Sequence, residues 1–195
     1  MNKQPKPDLK KYTDLISEIF KQLKNRLECK HSEKKNDEGM KELILRGENE
    51  SVEFKSTMRY DLREGKTNSK LEFVIAKTVS AFLNSEGGSL IIGVNDEGNI
   101  LGLQNDFATL PKKDSDGFEL HLRQIIKKYL GGNFGKYIKV SFPVSENKEI
   151  CLVKVSKCSK SVFITSEGKD YFFVRNGNSS IPLNRQEQSE YEREH

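Results

Sequence analysis

The sequence predicts an α+β fold, with a mixed, largely antiparallel sheet, two core helices and an N-terminal amphipathic helix. Two apolar stripes at helical spacing lie among several short runs at strand spacing, a pattern typical of α+β domains. The order of elements is clearest in AFLNSEGGSLIIGVNDEGNILGL, residues 81–103. This stretch combines a helix end, a double glycine, an apolar run too short for a helix and an acidic turn. We therefore expect a helix that leads into a central strand and a hairpin.

The chain begins with a predicted amphipathic helix over residues 8–27, in which apolar residues recur at helical spacing between lysines. The charged stretch CKHSEKKNDEG follows and has no apolar periodicity, as expected for a linker. We therefore divide the chain into residues 1–41, helix and linker, and a domain over residues 42–195. The helix could pack on the domain, pair with a second copy of itself or lie on a partner.

Within the domain, residues 51–57 alternate apolar and polar side chains, which predicts a half-buried strand with Glu53 and Lys55 on one face. The first core helix is predicted over residues 71–83 and the second over residues 118–130. The remaining predicted elements are strands over residues 90–94, 137–142, 150–155, 162–164 and 171–175, a turn over 146–149, and a polar helix after Asn184.

The net charge of +4 is concentrated in the first part of the chain, where residues 1–46 hold 12 basic and 8 acidic residues. Residues 47–195 are neutral, with 21 of each kind, so a basic surface there requires local clustering. Two clusters of basic residues could form such a surface. Each could be a phosphate-binding track or an ordinary solvated face. They are Lys55, Arg59, Arg63, Lys66 and Lys70, and then Lys112, Lys113, Arg123, Lys127, Lys128, Lys136 and Lys139.

Cysteine usage and hydropathy favour a cytoplasmic protein. The three cysteines include no C-x-x-C pair, which argues against structural zinc and a disulfide framework. No apolar run approaches the roughly 20 residues of a membrane span, and the first residues lack the apolar centre of a secretory signal. We therefore expect no membrane association. The P-loop pattern is also absent from the sequence.

Three carboxylates could converge at the ends of the first strands. Glu48 lies five residues before Glu53, so the two can meet only if the chain turns near residues 47–50. Asp96, at the tip of the predicted hairpin, could join them. Such a site would suit Mg²⁺ or Mn²⁺, with Lys55 balancing the charge of a bound phosphate. The alternative is a solvent-facing Glu53–Lys55 pair and an aspartate that serves only the turn.

Further groups suited to phosphate lie at two turns. Residues 85–88 could present backbone N–H groups to an anion, although a helix stop is the favoured interpretation. Arg175, Asn178 and Ser179 follow the last strong strand and offer a guanidinium and small donors, with a glycine turn as the plain alternative. Together the candidate nucleic-acid contacts are Lys55, Arg59, Arg63, Arg175, Asn178 and Ser179.

The segments GENESVEFK, AFLNSEGGSLIIGVNDEGNILGL and YFFVRNGNSS resemble successive signatures of the Schlafen-type AlbA-like domain, over roughly residues 42–181. This resemblance implies an α+β fold that binds nucleic acid. In some Schlafens it implies a metal-dependent endoribonuclease acting on structured RNA, with two glutamates and a later aspartate in the site. Carried over by position, these residues are Glu48, Glu53 and Asp96, with Lys55 beside them.

The chain departs from the Schlafen pattern in two respects. Related sequences often have Asp where this chain has Asn95, and animal Schlafens join two lobes where this chain has one. We therefore expect it to form a homodimer. The leading hypothesis is a protein that binds the phosphate backbone of RNA or DNA through a basic face. The alternatives are a nuclease that uses Glu48, Glu53 and Asp96 with Mg²⁺ or Mn²⁺, and a dimeric interaction protein or ATP binder.

Overall fold

A computed structural model of the chain describes residues 17–24, 26, 38–132 and 134–194. The chain divides into two units, Met1–Gly39 and Met40–His195. In the first unit, residues 17–24 are helical and exposed, in agreement with the predicted amphipathic helix. The rest of the prediction for residues 8–27, and most of the predicted linker, lie outside the described residues.

Helix α1 covers residues 38–45, and Gly47, at a φ of 70°, follows it. The other helices are α2 (Ser69–Asn84), α3 (Gln104–Ala108), α4 (Ser115–Leu130) and α5 (Arg185–Glu194). The strands are β1 (Val52–Lys55), β2 (Tyr60–Asp61), β3 (Lys66–Thr67), β4 (Gly88–Ile92), β5 (Ile138–Ser141), β6 (Val144–Ser145), β7 (Lys148–Glu149), β8 (Cys151–Val155), β9 (Phe163–Ser166), β10 (Lys169–Asn176) and β11 (Ser179–Leu183).

Strand β4 lies inside a four-stranded sheet with the order β1-β4-β8-β5. It runs parallel to β1, with Glu53 opposite Leu90, and antiparallel to β8. Leu90 and Ile92 belong to the larger core, which includes the buried faces of α2 and α4, whereas Ile91 belongs to a second core that includes residues of α1. Both faces of β4 are therefore covered, which confirms the predicted central strand.

The second sheet has the order β11-β10-β9 and is antiparallel throughout. Strand β10 packs on α2, where Phe173 meets the ring of Phe73 with centroids 6.5 Å apart. The two sheets and two core helices confirm the predicted α+β class with mostly antiparallel pairing. This packing brings β10 close to β1, although the two strands are more than a hundred residues apart in the chain.

Capping residues fix the ends of the two core helices. Asn68 caps α2 through the Lys70 N–H, and Asp114 caps α4 through the Gly117 N–H at 2.9 Å. Gly131, at a φ of 74°, ends α4 at Leu130, the last residue of the predicted helix. The predicted helices over residues 71–83 and 118–130 are therefore confirmed, and each begins two or three residues earlier than the apolar stripe indicated.

The structure differs from the sequence prediction in several details, among them α1 and β11, which were not predicted as a helix and a strand. The hairpin expected after β4 is reduced to a single bridge between Val94 and Ile100, because Gly93 O accepts from the N–H groups of both Leu101 and Gly102 and the chain turns back into the core. The small hairpin β2–β3 and the helix α3 were also not among the predicted elements. Short polar elements of this kind carry no apolar periodicity that a sequence pattern could reveal.

A candidate nucleic-acid site at the first strand

A tight turn immediately before β1 brings Glu48 back to the strand. Asn49 and Val52 form an antiparallel bridge, with Asn49 N donating to Val52 O at 3.0 Å and Val52 N donating to Asn49 O at 3.3 Å. Glu48 Oε1 then accepts from Phe54 N at 2.7 Å. The bend that the carboxylate hypothesis requires near residues 47–50 is therefore present.

Glu48 and Glu53 converge on one lysine. Lys55 Nζ donates to Glu53 Oε1 at 2.6 Å and to Phe54 O at 2.5 Å, and it lies 3.8 Å from Glu48 Oε1. The Glu53 side chain is 12% exposed, whereas those of Lys55 and Glu48 are 23% and 21% exposed. Lys55 therefore lies on the solvent side of the site, and Glu53 lies on its buried side.

Arg175, on strand β10 of the second sheet, contacts Glu53 on the buried side of the site. Its Nη1 donates to Glu53 Oε2 at 2.7 Å and to Ser180 Oγ at 3.1 Å. Its Nη2 donates to Asn49 O at 2.8 Å, and its Nε donates to Glu50 O at 3.2 Å. The guanidinium also lies over the ring of Phe82, with its carbon 4.9 Å from the centroid.

The side chain of Arg175 has no exposure to solvent, and all three guanidinium nitrogens donate to the turn, to Glu53 or to Ser180. In this arrangement Arg175 does not face a phosphate. It joins the turn before β1 to the carboxylate of Glu53 and balances that buried charge. A buried carboxylate held by two cations in this way is strongly fixed in orientation.

The segment after α2 holds the backbone of Arg175 in place. Ser85 Oγ accepts from Arg175 N at 2.9 Å and from the hydroxyl of Tyr191 at 3.3 Å. Ser85 N and Gly87 N both donate to Phe82 O, so residues 85–88 form the helix stop that was favoured from sequence. A side chain at Gly87 would come within 2.5 Å of Val155 O, which explains the need for glycine there.

Asp96 is not part of the group formed by Glu48, Glu53 and Lys55. It is exposed on the turn after β4, which is closed by Gly98 N donating to Asn95 O at 2.9 Å. Among residues 17–24, 26, 38–132 and 134–194, no group of three or more His, Cys, Asp or Glu side chains is arranged to hold a metal ion. The structure thus brings together Glu48, Glu53 and Lys55, and the three-carboxylate site stays a prediction.

The other predicted contacts occupy different surroundings. Arg63 is exposed in the turn of the β2–β3 hairpin, and Asn178 and Ser179 are exposed in the β10–β11 turn, close in sequence to Arg175. Arg59 is partly buried, and its Nε lies 3.2 Å from Glu72 Oε1. The basic candidates therefore continue along the chain from β1 into the hairpin.

A buried aspartate that the sequence analysis did not single out holds the segment between β1 and β2. Asp106 accepts from the backbone N–H groups of Met58, Arg59 and Tyr60 at 2.7, 3.0 and 2.9 Å. Burial raises the pKa of Asp106, although the three hydrogen bonds oppose the rise. The nearest signal in the sequence was an acidic residue next to an apolar pair, which is too common to identify such a role.

No described helix combines the length and the apolar character needed to cross a membrane. The fold and the site together define an α+β domain in which a lysine and two glutamates meet at the first strand, with a buried arginine behind them. With Ser85 and Phe82, which contact Arg175, this arrangement uses residues from all three segments in which the sequence resembled the Schlafen-type domain.

The family described as Schlafen, AlbA_2 matches residues 48–184, and the chain belongs to this family of nucleic-acid-related domains. No curated protein matches the chain. Among solved structures, the DIP2311 protein from Corynebacterium diphtheriae is similar, with 23% identity and a TM-score of 0.51. The match covers 74% of this chain but only 28% of that protein, and at this identity it shows the fold alone.

Proposed function

We propose that the protein binds the phosphate backbone of nucleic acid through the cationic segment from Lys55 to Lys70. The observation that carries the proposal is the β2–β3 hairpin, which follows the Glu48–Glu53–Lys55 site along the chain and exposes basic side chains. Residues 55–70 contain five basic and two acidic residues, in a second unit that is otherwise close to neutral. Such local clustering is the electrostatic signature of a phosphate-binding surface.

Both acidic residues of this segment, Asp61 and Glu64, have partners within the segment. Asp61 accepts from the Asn68 amide, Glu64 N and Arg63 N, which together lower the pKa of Asp61 and hold the hairpin turn. Glu64 pairs with Lys66 at 2.8 Å. Arg63 and Lys70 are then exposed cations on one short segment, and Lys55 and Arg59 are partly exposed.

In this proposal Arg175 positions the site and does not itself contact phosphate, because its guanidinium lies in the interior. Asn178 and Ser179 remain available for contact at the neighbouring turn. The surface discriminates RNA from DNA only weakly, since it meets the ligand through charge and phosphate contacts carry no base information.

The test is fluorescence anisotropy with labelled single-stranded RNA and DNA over a range of salt concentrations. The logarithm of affinity should fall linearly with the logarithm of salt, and Arg63→Gln should lower the slope by about 0.7 for the loss of one single-strand phosphate contact. Arg185→Gln, an exposed arginine of α5, is the matched control. Salt-independent affinity, or equal effects of the two variants, would contradict the proposal.

A second candidate function, a metal-dependent nuclease, is favoured by the convergence of Glu48 and Glu53. Mg²⁺ is commonly held by one or two carboxylates with several waters, so the donor chemistry fits Mg²⁺ or Mn²⁺. Lys55 Nζ now occupies the space between the two carboxylates, and a cation would have to displace it from Glu53. A bound metal would supply charge stabilisation and an activated water. Asp96 would have to move toward the glutamates to become a third ligand.

Incubation of structured RNA with the protein, with and without Mn²⁺, tests this second function. Glu48→Gln should abolish metal-stimulated cleavage, and Glu50→Gln, an exposed neighbour in the same turn, should retain it. Cleavage that survives Glu48→Gln would exclude this site, and the absence of any cleavage by the unaltered chain would leave binding alone as the proposed function.

A further inference from the structure

A second polar cluster, built around Glu72 of α2, lies outside the Glu48–Glu53–Lys55 site. Glu72 Oε1 lies 2.8 Å from His121 Nε2 of α4 and 3.2 Å from Arg59 Nε. The Glu72 side chain is 10% exposed, whereas those of Arg59 and His121 are each 22% exposed. One buried carboxylate therefore holds two nitrogen-bearing side chains at the edge of the solvent.

Most polar atoms of the Arg59 and His121 side chains make no hydrogen bond within the described residues. Arg59 Nε is buried and lacks a hydrogen-bond partner within the described residues, because its approach to Glu72 is close but not aligned. No hydrogen bond to Arg59 Nη1, Arg59 Nη2 or His121 Nδ1 is found in the same part of the chain. A buried N–H such as that of Nε is costly to leave without an acceptor.

The backbone that carries Arg59 is fixed. The buried Asp106 carboxylate accepts from the N–H groups of residues 58 to 60, and Thr57 Oγ1 donates to Tyr60 O at 2.6 Å. His121 lies on a 16-residue helix, and Glu72 lies in the first turn of another. The three side chains thus extend from rigid elements, which is the arrangement expected of a binding subsite.

We propose that Arg59 and His121 form a phosphate subsite, in which Glu72 orients both side chains and one phosphate of a single-stranded nucleic acid accepts from Arg59 Nη and from His121 Nδ1. The inference rests on the proposed nucleic-acid function and adds His121 and Glu72 to it. Because Nε2 lies against Glu72, the imidazolium form of His121 has Nδ1–H left to donate. The planar guanidinium supplies a fork that matches phosphate oxygens.

The charges around the subsite are consistent with one bound phosphate. Glu72 offsets the charge of Arg59, or one of two charges when His121 is protonated, and Asp106, which also faces Arg59, directs both carboxylate oxygens to backbone N–H groups. A purely structural role, in which Glu72 ties α2 to α4, explains the histidine contact. It leaves the buried Nε of Arg59, which has no aligned acceptor among the described residues, unexplained.

The direct test is histidine side-chain NMR on the full chain, titrated with sodium phosphate against sodium chloride at matched ionic strength. The ring nitrogens of His121 should shift saturably with phosphate, and those of His31 and His195 should shift no more than in chloride. His121→Gln assigns the signal. If His121 shifts no more than the other two histidines, the subsite is excluded, and this readout does not depend on nucleic-acid binding.

A second arm measures the salt dependence of single-stranded RNA affinity for Arg59→Gln, His121→Gln and the double variant. If both side chains contact one phosphate, the double variant should lower the slope by about 0.7, not by about 1.4 as expected for two separate phosphates. Arg185→Gln is again the control. RNA binding with unchanged slopes and an unresponsive His121 overturns the subsite alone. A phosphate response without binding of either RNA or DNA supports the subsite and overturns the proposed function.

Discussion

Arg175 shows how a residue suited to phosphate contact by its chemistry is used differently by the fold. Its donors reach Glu53, Ser180 and the carbonyl oxygens of the turn before β1, and no part of its side chain is exposed. Removal of one partner from a buried ion pair leaves an uncompensated charge in the interior, which costs more than the pair itself contributes. Arg175 should therefore affect stability more than ligand contact.

We expect Arg175→Met to lower the free energy of unfolding by about 3–5 kcal/mol, because Glu53 would keep only Lys55 as a counter-charge. Urea denaturation followed by circular dichroism measures this. Arg185→Met on the exposed face of α5 is the matched control and should change stability by no more than about 0.5 kcal/mol. Equal effects of the two substitutions would show that the buried pair does not stabilise the fold.

Asp106 has a similar structural importance for the segment that carries Arg59. An amide in its place keeps one acceptor oxygen but turns its NH₂ group toward backbone N–H donors, leaving them unsatisfied. We expect Asp106→Asn to destabilise the protein by about 1–3 kcal/mol. Asp96→Asn, on an exposed turn, should have little effect on urea denaturation. A loss of stability confined to Asp96→Asn would contradict the role assigned to Asp106.

At the scale of elements, apolar periodicity predicted the two core helices and the central strand, because burial of a stripe or a short run leaves a repeating pattern. Their ends were predictable from Asn84, Gly131 and other residues with defined capping preferences. The β2–β3 hairpin and α3 were not predictable, since short polar elements carry no apolar periodicity, and the hydrogen bonds of Asp106 to residues 58 to 60 join parts of the chain far apart in sequence.

The N-cap of α4 gives a prediction with a defined pH dependence. The Gly117 N–H, and then Lys112, lower the pKa of Asp114 below its usual value. The stabilisation by this cap is therefore fully present above the unfolded-state pKa of about 3.9 and is lost as the pH falls through the lower folded-state pKa. Asp114→Ala should lower the urea midpoint at neutral pH, and the difference from the unaltered chain should disappear in strong acid.

The uncharged N-cap of α5 provides the control for this experiment. Asn184 Oδ1 accepts from Gln186 N and Glu187 N at 2.9 and 3.1 Å, and its amide does not titrate. The effect of Asn184→Ala should depend much less on pH than that of Asp114→Ala. Parallel pH profiles for the two variants would mean that the charge of Asp114 is not what stabilises α4.

At the scale of the whole molecule, the sequence predicted the meeting of Glu48 and Glu53 on condition of a turn, and the turn is present. The buried position of Arg175 was beyond sequence reasoning, because the contact with Glu53 joins two sheets across 122 residues. The same limit applies to His121, whose partner Glu72 lies on another helix. Local pattern thus predicts elements and nearby pairs, whereas the completed site depends on how the sheets pack.

The predicted homodimer concerns the first unit of the chain, whose described helix exposes Ile19, Phe20 and Leu23 by 47%, 69% and 50%. Both buried core clusters lie between Met40 and Phe173, so a fragment of residues 38–195 should fold without the first unit. We expect the full chain to be a dimer and this fragment a monomer by light scattering, with similar melting temperatures. Burial of the exposed apolar side chains would drive the pairing.

Two single substitutions separate pairing through the apolar residues from pairing by charge. Phe20→Gln should shift the full chain toward monomer at a given concentration, because it removes the most exposed apolar side chain of the three. Lys21→Gln, on the next residue of the same helix, should leave the equilibrium nearly unchanged. A fragment that still dimerises would locate the interface in the second unit, and a monomeric full chain would exclude a dimer altogether. In that last case, nucleic acid would have to bind to a single lobe.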